Sequence, residues 1–162
     1  MTPLVYDKNR GGYVRRVEGA LWPQVTNWEP IDCGVDPAAR LEFYGFLPWH
    51  EFWALHGRID LALDSFPCNG GATTCETLWL GVPLVNLAGE AFLSRAGLSI
   101  LTTIGLQELV ASSPDEYLRI ARDLAGDRVR LAQLRSGMRE RMRASPLLAA
   151  AAFTRDLEDC YR

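Results

Sequence analysis

The stretch that decides the fold is Asp60–Pro83, which reads DLALDSFPCNGGATTCETLWLGVP. It opens with a short apolar run that is typical of a buried parallel strand. A turn rich in Pro and Gly follows Asp64, and a helix is predicted to begin near Ala72 and to end at Gly81. Residues 83–87 again resemble a strand, so the stretch predicts a strand–turn–helix unit that leads into a second parallel strand.

The same alternation extends on both sides of this stretch. The predicted elements are parallel strands at 41–46, 59–63 and 82–87, helices at 48–57 and 90–101, and a short edge strand at 109–110. Strands that alternate with helices at this spacing predict an α/β fold. We therefore expect a Rossmann-like parallel sheet with helices on both faces, connected by right-handed crossovers.

The chain from Ser113 onward is predicted to be helical. Ser113 is a capping residue, Pro114 takes the first helical position, and two acids follow against the positive end of the helix. Arg119 and Asp123 have the i,i+4 spacing of an ion pair. Apolar residues then recur at helical steps of three and four, at Ile120, Leu124, Leu131, Leu134, Met138 and Met142.

Two features of this helical region allow more than one interpretation. The arginine run over 128–143 is consistent with an anion-binding stripe or, because acids are interleaved, with a solvated helix face. The final helix, about 148–161, carries Phe153, Leu157 and Tyr161 on one side. We expect either an exposed apolar patch with self-association as its consequence, or a helix folded back onto its own sheet.

Length and composition limit the functional classes. The chain has 162 residues, 48% of them apolar and 23% charged, which fits one globular domain. The net charge of −3 argues against a nucleic-acid binder, and no apolar run is long enough for a membrane span. The four cysteines lack the spacing of metal ligands, and unpaired thiols suit a reducing, cytoplasmic location. His50 and His56 could share a metal, but we favour the interpretation that they are two ordinary polar side chains.

The turn before the predicted helix is a candidate phosphate site. Gly70 and Gly71 allow a ligand to approach the backbone and permit angles that a side chain forbids. The free amides and dipole of the helix start favour a diphosphate, and Thr73 and Thr74 add hydroxyl donors. Glu76 is placed to accept hydrogen bonds from a ribose diol. The alternative is an ordinary strand–turn–helix in which the threonines cap the helix and Glu76 complements its dipole.

The sequence resembles the catalytic region of the O-linked N-acetylglucosamine transferase family, which includes bacterial relatives and plant SPINDLY-type proteins. The resemblance starts from RIDLALDSFPCNGGATTCETLWLGVP and continues through LVNLAGEAFLSRAGLSIL, SPDEYLRIARDLA and LRSGMRERMRASPL, covering about residues 34–162. It implies a divergent N-terminal segment, 1–39, and a UDP-sugar-binding domain, 40–162. From its Pro, Gly and Trp residues we expect the first of these to be loosely packed or irregular, with short β-prone pieces such as Leu4-Val5-Tyr6. The second would form part of the C-terminal lobe of a GT-B glycosyltransferase.

The resemblance also implies a donor, an acceptor and a set of contact residues. The donor is UDP-N-acetylglucosamine, the acceptor is a Ser or Thr hydroxyl of a protein, and neither a cofactor nor a metal is expected. Phe52 stacks on the uracil, a backbone group near Leu47 reads its edge, the two threonines hold the diphosphate and Glu76 binds the ribose. The full set of UDP-binding residues is Leu47, Phe52, Asn69, Gly70, Gly71, Ala72, Thr73, Thr74 and Glu76.

Departures from the family pattern separate two functional hypotheses. Ala72 replaces the first threonine of the common bacterial GGTTTCE motif, Trp49 stands where some members keep a lysine, and the chain's one lysine, Lys8, has no recognisable context. The first hypothesis is the donor-binding part of a protein O-glycosyltransferase, inactive alone and completed by an acceptor lobe or a TPR-containing chain. The second is a truncated, non-catalytic relative that binds a nucleotide or a protein partner. For either hypothesis no catalytic residue is assigned within this chain.

Overall fold

The computed structural model describes residues 4–7, 12–16, 28–30 and 48–162, and it divides the chain into two units, Met1–Pro48 and Trp49–Arg162. In the first unit an antiparallel sheet is formed by β1 (Leu4–Asp7), β2 (Gly12–Arg16) and β3 (Trp28–Pro30), in that order. The β-prone piece Leu4-Val5-Tyr6 lies in β1, but the expectation of an otherwise irregular segment at 1–39 was wrong for β2 and β3. Strands of three to five residues are too short for a period of two to stand out in the sequence.

A second, parallel sheet organises Trp49–Arg162. Its strands are β4 (Ala62–Leu63), β5 (Leu84–Leu87) and β6 (Val110–Ala111), with β5 in the centre. The predicted parallel pairing is confirmed, but β4 is shorter than the predicted 59–63, because the Ile59 amide donates to the His56 carbonyl in the turn that precedes the strand. The predicted strand at 41–46 lies outside the described residues.

Six α-helices occur in the described residues. They are α1 (Trp49–His56), α2 (Ala72–Trp79), α3 (Ala96–Thr103), α4 (Pro114–Gly126), α5 (Arg128–Arg143) and α6 (Ala150–Asp159). Short 3-10 turns cover Phe92–Ser94, Gln107–Leu109 and Pro146–Leu148. The predicted α/β class and the predicted start of a helix at Ala72 are both confirmed. None of the helices in the described residues has the length and apolar character that crossing a bilayer requires.

The predicted helix over 90–101 was wrong in its first half. Residues 92–94 form a 3-10 turn, and α3 begins only at Ala96. The buried Ser94 explains the break, because its hydroxyl donates to the Ala91 carbonyl (2.8 Å) and its own carbonyl accepts from the Gly89 amide (3.0 Å). A serine that satisfies the backbone locally competes with a regular helix.

The start of α4 is the one that the sequence predicts. The Ser113 hydroxyl accepts a hydrogen bond from the Glu116 amide (3.3 Å), and Pro114 is the first helical residue. The Glu116 carboxylate reaches back to accept from the amide (2.9 Å) and the hydroxyl (2.8 Å) of Ser112. These hydrogen bonds, with Arg119 nearby, lower the pKa of Glu116. The expected ion pair between Arg119 and Asp123 is present at 3.7 Å.

The core lies between the parallel sheet and helices α2 to α5. Its fully buried apolar side chains include Leu78, Val85, Leu101, Leu106, Leu109, Leu124 and Met138. Helix α5 contributes Leu131, Met138 and Met142, at the predicted positions, while Leu134 packs against the core from a partly buried position. The apolar spacing seen in the sequence therefore identified the inner face of α5 correctly.

The arginines of α5 do more than face solvent. The Arg139 Nε donates to the Trp79 carbonyl (3.2 Å), and Arg141 Nη1 donates to the carbonyls of Ile104 and Gly105 (both 3.2 Å). Arg135 donates to the Ile59 carbonyl. The predicted solvated face is confirmed for the exposed Arg128, Arg130, Arg139, Arg141 and Arg143. The prediction missed that several of these guanidinium groups also satisfy carbonyls where other elements end. Sequence spacing along α5 carries no information about these distant partners.

Helix α6 has no buried residue. Its side chains Phe153 and Leu157 are 66% and 44% accessible to solvent. Tyr161, which was predicted to lie in this helix, follows its end and is 84% accessible. Of the two expected arrangements, the structure has the exposed apolar patch and not the helix folded back onto the sheet.

Candidate functional site

The candidate site is the turn between β4 and α2, at the carboxyl edge of the parallel sheet. Gly71 is the N-cap of α2 and gives the helix no side-chain cap, and no acidic residue lies in the first turn. The first hydrogen bond within this turn runs from the Cys75 amide to the Gly71 carbonyl (3.1 Å). The amides of Ala72, Thr73 and Thr74 precede this bond, so they belong to the donors that a helix leaves unpaired at its start. Such a group favours an anion.

Gly70 lies directly against the two threonine hydroxyls. A Cβ at this position would stand 2.5 Å from Thr74 Oγ1 and 2.7 Å from Thr73 Oγ1, so no larger residue fits without a shift. Gly71, in contrast, has nothing within 4 Å of its would-be Cβ. The sequence-based argument from special backbone angles was wrong here, since neither glycine has a positive φ. Close contact, at Gly70 alone, is what requires glycine.

The threonines and Glu76 differ in exposure. Thr73 is exposed, Thr74 is 2% exposed and Glu76 is partly buried on the second turn of α2. Among the described residues no hydrogen bond or ion pair occupies the Glu76 carboxylate. Burial raises the pKa of the neighbouring Cys75 thiol, and the charge of Glu76 raises it further. Glu76 is therefore a charged acceptor that remains available to a ligand.

Asn69 holds the turn together. Its side-chain amide donates to the Ser65 carbonyl (2.8 Å) and, more weakly, to the Leu87 carbonyl (3.4 Å), while its backbone amide donates to the Leu93 carbonyl (2.8 Å). The residue is 9% exposed, and within the described part of the chain its Oδ1 atom has no hydrogen-bond partner. The geometry thus gives this predicted binding residue a structural task within the turn.

Helix α1 is joined to α2 by a buried histidine. His56 Nδ1 donates to the Phe52 carbonyl (2.8 Å), and Nε2 lies 3.3 Å from the Thr77 hydroxyl. The Phe52 ring packs edge-on against the imidazole at 4.6 Å and against Trp49 at 6.1 Å. Phe52 is therefore held on a helix attached to α2, whereas Leu47, the other predicted base contact, lies outside the described residues.

Asp64 is the residue of this region to which sequence reasoning gave no role. It is 8% exposed, and burial raises the pKa of its carboxyl group, although hydrogen bonds from Gly70, Asn86 and Ser65 act in the opposite direction. The Tyr117 hydroxyl of α4 donates to the Asp64 carbonyl (2.9 Å), and burial together with the Asp64 charge raises the pKa of Tyr117 to about 12. The sequence feature that could have identified Asp64 is its place as an acidic residue directly after a predicted strand.

Other candidate features lie elsewhere. A groove of about 900 Å³ runs along the opposite end of β4 and α2, lined by residues that include Asp60, Gly81, Arg128 and Arg135. Within the described residues no group of three His, Cys, Asp or Glu side chains is arranged to hold a metal ion. His56 is engaged with α2, and His50 lies 3.8 Å from the exposed Glu51 carboxylate.

A protein-family model matches most of this chain. The family model described as glycosyl transferase family 41 matches residues 37–157. The chain belongs to glycosyl transferase family 41. That assignment agrees with the resemblance seen in the sequence motifs, and it covers all of α1 to α5 and most of α6.

Named relatives of this family 41 chain are similar over most of its length. It is 44% identical over 113 residues to the probable UDP-N-acetylglucosamine–peptide N-acetylglucosaminyltransferase SPINDLY of Hordeum vulgare, a match that covers 70% of this chain and 12% of that protein. The SPINDLY protein of Oryza sativa subsp. japonica is 43% identical over 134 residues, 83% of this chain and 14% of the relative. The UDP-N-acetylglucosamine–peptide N-acetylglucosaminyltransferase of Caenorhabditis elegans is 33% identical over 129 residues, 80% of this chain and 11% of that protein.

A solved structure supports the same assignment. A mutant of the Thermobaculum terrenum O-GlcNAc transferase superimposes with a TM-score of 0.70 at 41% identity, over 76% of this chain and 24% of that one. The family 41 chain therefore spans about an eighth of the curated relatives and about a quarter of the solved one.

Proposed function

We propose that this family 41 chain carries the donor-binding site of a protein O-glycosyltransferase that uses UDP-N-acetylglucosamine. The observation that carries the proposal is the uncapped start of α2, where amides and two threonine hydroxyls gather at the carboxyl edge of a parallel sheet. The printed names of the relatives support this choice of donor. A GT-B arrangement, with the donor between two lobes, and a cytoplasmic location belong to the same proposal.

Each residue of the site has a proposed task. The diphosphate rests on the amides from Gly71 to Thr74, with Thr73 adding a hydroxyl from an exposed position. Ala72 contributes its amide alone. Glu76 accepts hydrogen bonds from the ribose hydroxyls, and the Phe52 ring stacks on the uracil, where a backbone group near Leu47 reads the edge of the base.

Transfer of the sugar needs more than this site. A departing diphosphate carries developing negative charge, and stabilising that charge is worth several kcal/mol in a transferase, about 3–4 kcal/mol for one well-placed donor. The resemblance implies that a lysine in the preceding strand–helix unit of the family neutralises the diphosphate, and the chain's one lysine, Lys8, lies in no matching motif. We propose that an acceptor lobe or a TPR-containing chain supplies this cation and binds the protein whose Ser or Thr is the acceptor, so that the chain alone binds donor without transferring it.

A second candidate function has its own supporting observation. The exposed apolar side chains of α6 suit a chain that binds another protein rather than catalysing a reaction. A non-catalytic relative would keep the fold and use α6 for association, with or without nucleotide binding. Binding of UDP is the property that separates the two candidates most directly.

Calorimetric titration with UDP tests the proposal. We expect one-to-one binding by the parent chain and weaker binding by Thr73→Val, which removes a phosphate contact and should affect UDP more than uridine. Thr102→Val, at an exposed position on α3, is the matched control and should bind both ligands as the parent does. No heat at millimolar UDP would contradict the donor-site proposal and favour the non-catalytic alternative.

A further inference from the structure

We propose that Asp64 is a positioning residue for the donor turn, whose carboxylate holds the Gly70 amide and thereby places the threonine hydroxyls at the start of α2. What the turn binds rests on the proposed function above. The positioning itself is a property of this chain and can be measured without any ligand.

The two carboxylate oxygens of Asp64 are both engaged. Oδ1 accepts from the amides of Ser65 and Gly70, each at 2.9 Å, and Oδ2 accepts from the Asn86 side-chain amide at 2.9 Å. The contact with Gly70 closes a loop of six residues back onto the end of β4. The carboxylate therefore ties the last residue of the turn to the rigid edge of the sheet.

Gly70 transmits this contact to the site. Its would-be Cβ position lies within 2.7 Å of the hydroxyl oxygens of both Thr73 and Thr74 and 3.4 Å from Asp64 Oδ1. The Asp64 carboxylate and both threonine hydroxyls are thus packed around Gly70. A displacement of Gly70 by a fraction of an ångström would move the first turn of α2 with it.

The far side of Asp64 is equally restrained. A Cβ at Gly97, in the first turn of α3, would stand 2.7 Å from Asp64 Oδ2 and 2.2 Å from Asn86 Nδ2. The Tyr117 hydroxyl holds the Asp64 backbone carbonyl from α4. Elements β5 and α3 therefore enclose the Asp64 carboxylate, and α4 fixes the backbone that carries it.

The useful property of Asp64 is its pattern of acceptors, not its charge. A negative charge beneath a diphosphate is repulsive, so charge alone would weaken donor binding. An asparagine keeps an oxygen for the Ser65 and Gly70 amides and places an NH2 group toward Asn86. Asn86 can turn its own amide to accept from that group, because its Oδ1 is buried without a partner.

The experiment compares Asp64→Asn with Asp64→Ala in two measurements. Amide hydrogen exchange by NMR reports whether Gly70 is still held, and calorimetry with UDP and uridine reports the consequence for binding. We expect the Gly70 amide to exchange about 10- to 100-fold faster in Asp64→Ala than in the parent. This factor corresponds to the loss of one hydrogen bond to a charged group. Asp64→Asn should retain most of the protection of the parent, because its neutral oxygen still accepts from the Gly70 amide.

The affinities of the two variants should change in parallel with the exchange rate of their Gly70 amide. Asp64→Ala should weaken UDP at least about 10-fold more than uridine, whereas Asp64→Asn should bind UDP as the parent does or more tightly. Met138→Ala, a core substitution in α5, controls for general destabilisation and should leave the ratio of UDP to uridine affinity unchanged. If Asp64→Ala does not fold, Asp64→Ser replaces it, because a serine hydroxyl is too short to reach the Gly70 amide and the same losses are expected.

Three results would overturn the positioning role. They are unchanged Gly70 exchange in Asp64→Ala, equal weakening of UDP and uridine, and a loss in Asp64→Asn as large as in Asp64→Ala. Failure of the parent to bind UDP would instead overturn the proposed function, and the exchange comparison would still decide whether Asp64 positions the turn.

Discussion

Glu76 is the residue on which the orientation of a bound nucleotide depends. Its carboxylate is partly buried and has no partner among the described residues, so a ribose diol would meet an acceptor that is already desolvated in part. If Glu76 served only the helix dipole, its removal would affect stability and leave ligands untouched. The two roles therefore make different predictions for one substitution.

We expect Glu76→Ala to weaken UDP by about 10- to 100-fold, since a hydrogen bond to a charged group contributes roughly 1.5–3 kcal/mol. Uridine should be weakened as well, because the contact is with the ribose. Calorimetry measures both affinities, with Glu140→Ala on the exposed side of α5 as the control. Unchanged UDP affinity in Glu76→Ala would show that the acid serves the helix alone.

Asp64 links stability to pH. Burial raises the pKa of its carboxyl group above 3.8, so the folded chain binds this proton more tightly than the unfolded chain does. Ionisation of Asp64 therefore reduces stability as the pH rises from 3.8 through the folded pKa. The titratable side chain that contacts it, Tyr117, stays neutral over this range because its pKa is about 12.

The stability advantage of Asp64→Asn over the parent should accordingly grow between acid and neutral pH. Urea denaturation at a series of pH values measures this difference in the free energy of unfolding. Asp123→Asn, at an exposed carboxylate of α4, controls for the removal of one acid. A difference that falls as the pH rises would contradict the raised pKa of Asp64.

At the scale of elements, the start of α4 combines several local signals in one place. Ser113 accepts from the Glu116 amide, and the Glu116 carboxylate returns to the amide of Ser112. Such reciprocal contacts satisfy amides that a helix start leaves open. Ser112, Ser113 and Glu116 lie within five residues of one another in the sequence, so these hydrogen bonds do not depend on the rest of the fold.

We expect Ser113→Ala to lower the free energy of unfolding by about 1 kcal/mol, within the 0.5–2 kcal/mol range for loss of a capping side chain. Ser136→Ala is the matched control, since the Ser136 hydroxyl donates to the Gln133 carbonyl inside α5 and alanine is a better helix former there. Chemical denaturation distinguishes the two. Equal stability of Ser113→Ala and the parent would show that the cap is dispensable.

Local signals of this kind explain which elements the sequence predicts. The starts of α2 and α4 and the parallel pairing of β4 with β5 depend on nearby residues, and they are confirmed. The break at Ser94 was missed because a single hydroxyl decides it.

The partners of Asp64 were missed for a different reason. Asn86 and Tyr117 lie 22 and 53 residues further along the chain, and only the folded sheet brings them together. The arginines of α5 are a similar case, with Arg139 contacting a carbonyl 60 residues away. For the candidate site, the sequence supplied the residue types, whereas their burial and mutual distances depend on this long-range packing.

At the scale of the whole molecule, α6 is the feature that suggests an interaction surface. Phe153 and Leu157 are exposed on this helix, which has no buried residue, and the exposed Tyr161 follows its end. Exposed apolar side chains that cluster on one helix commonly mark an interaction surface. In the proposed function this surface would meet the acceptor lobe or, in its absence, a second copy of the chain.

We expect the chain to associate with itself as its concentration rises, and Phe153→Asp together with Leu157→Asp to restore a monomer. Sedimentation velocity over a range of concentrations measures this. Arg155→Asp, another charge change on the same exposed helix, is the control and should leave association intact. A parent chain that is monomeric at every concentration would contradict this prediction.

The crowding at Gly97 has a consequence for how this chain tolerates variation. Any side chain there would displace the Asn86 amide, whereas Gly137 of α5 is exposed and has open space where a side chain would stand. In a library of random variants selected for soluble expression, position 97 should therefore return glycine alone, while position 137 should drift freely and favour alanine, which gains about 1 kcal/mol in a helix. The first turn of α3 would then accept far fewer substitutions than the exposed face of α5.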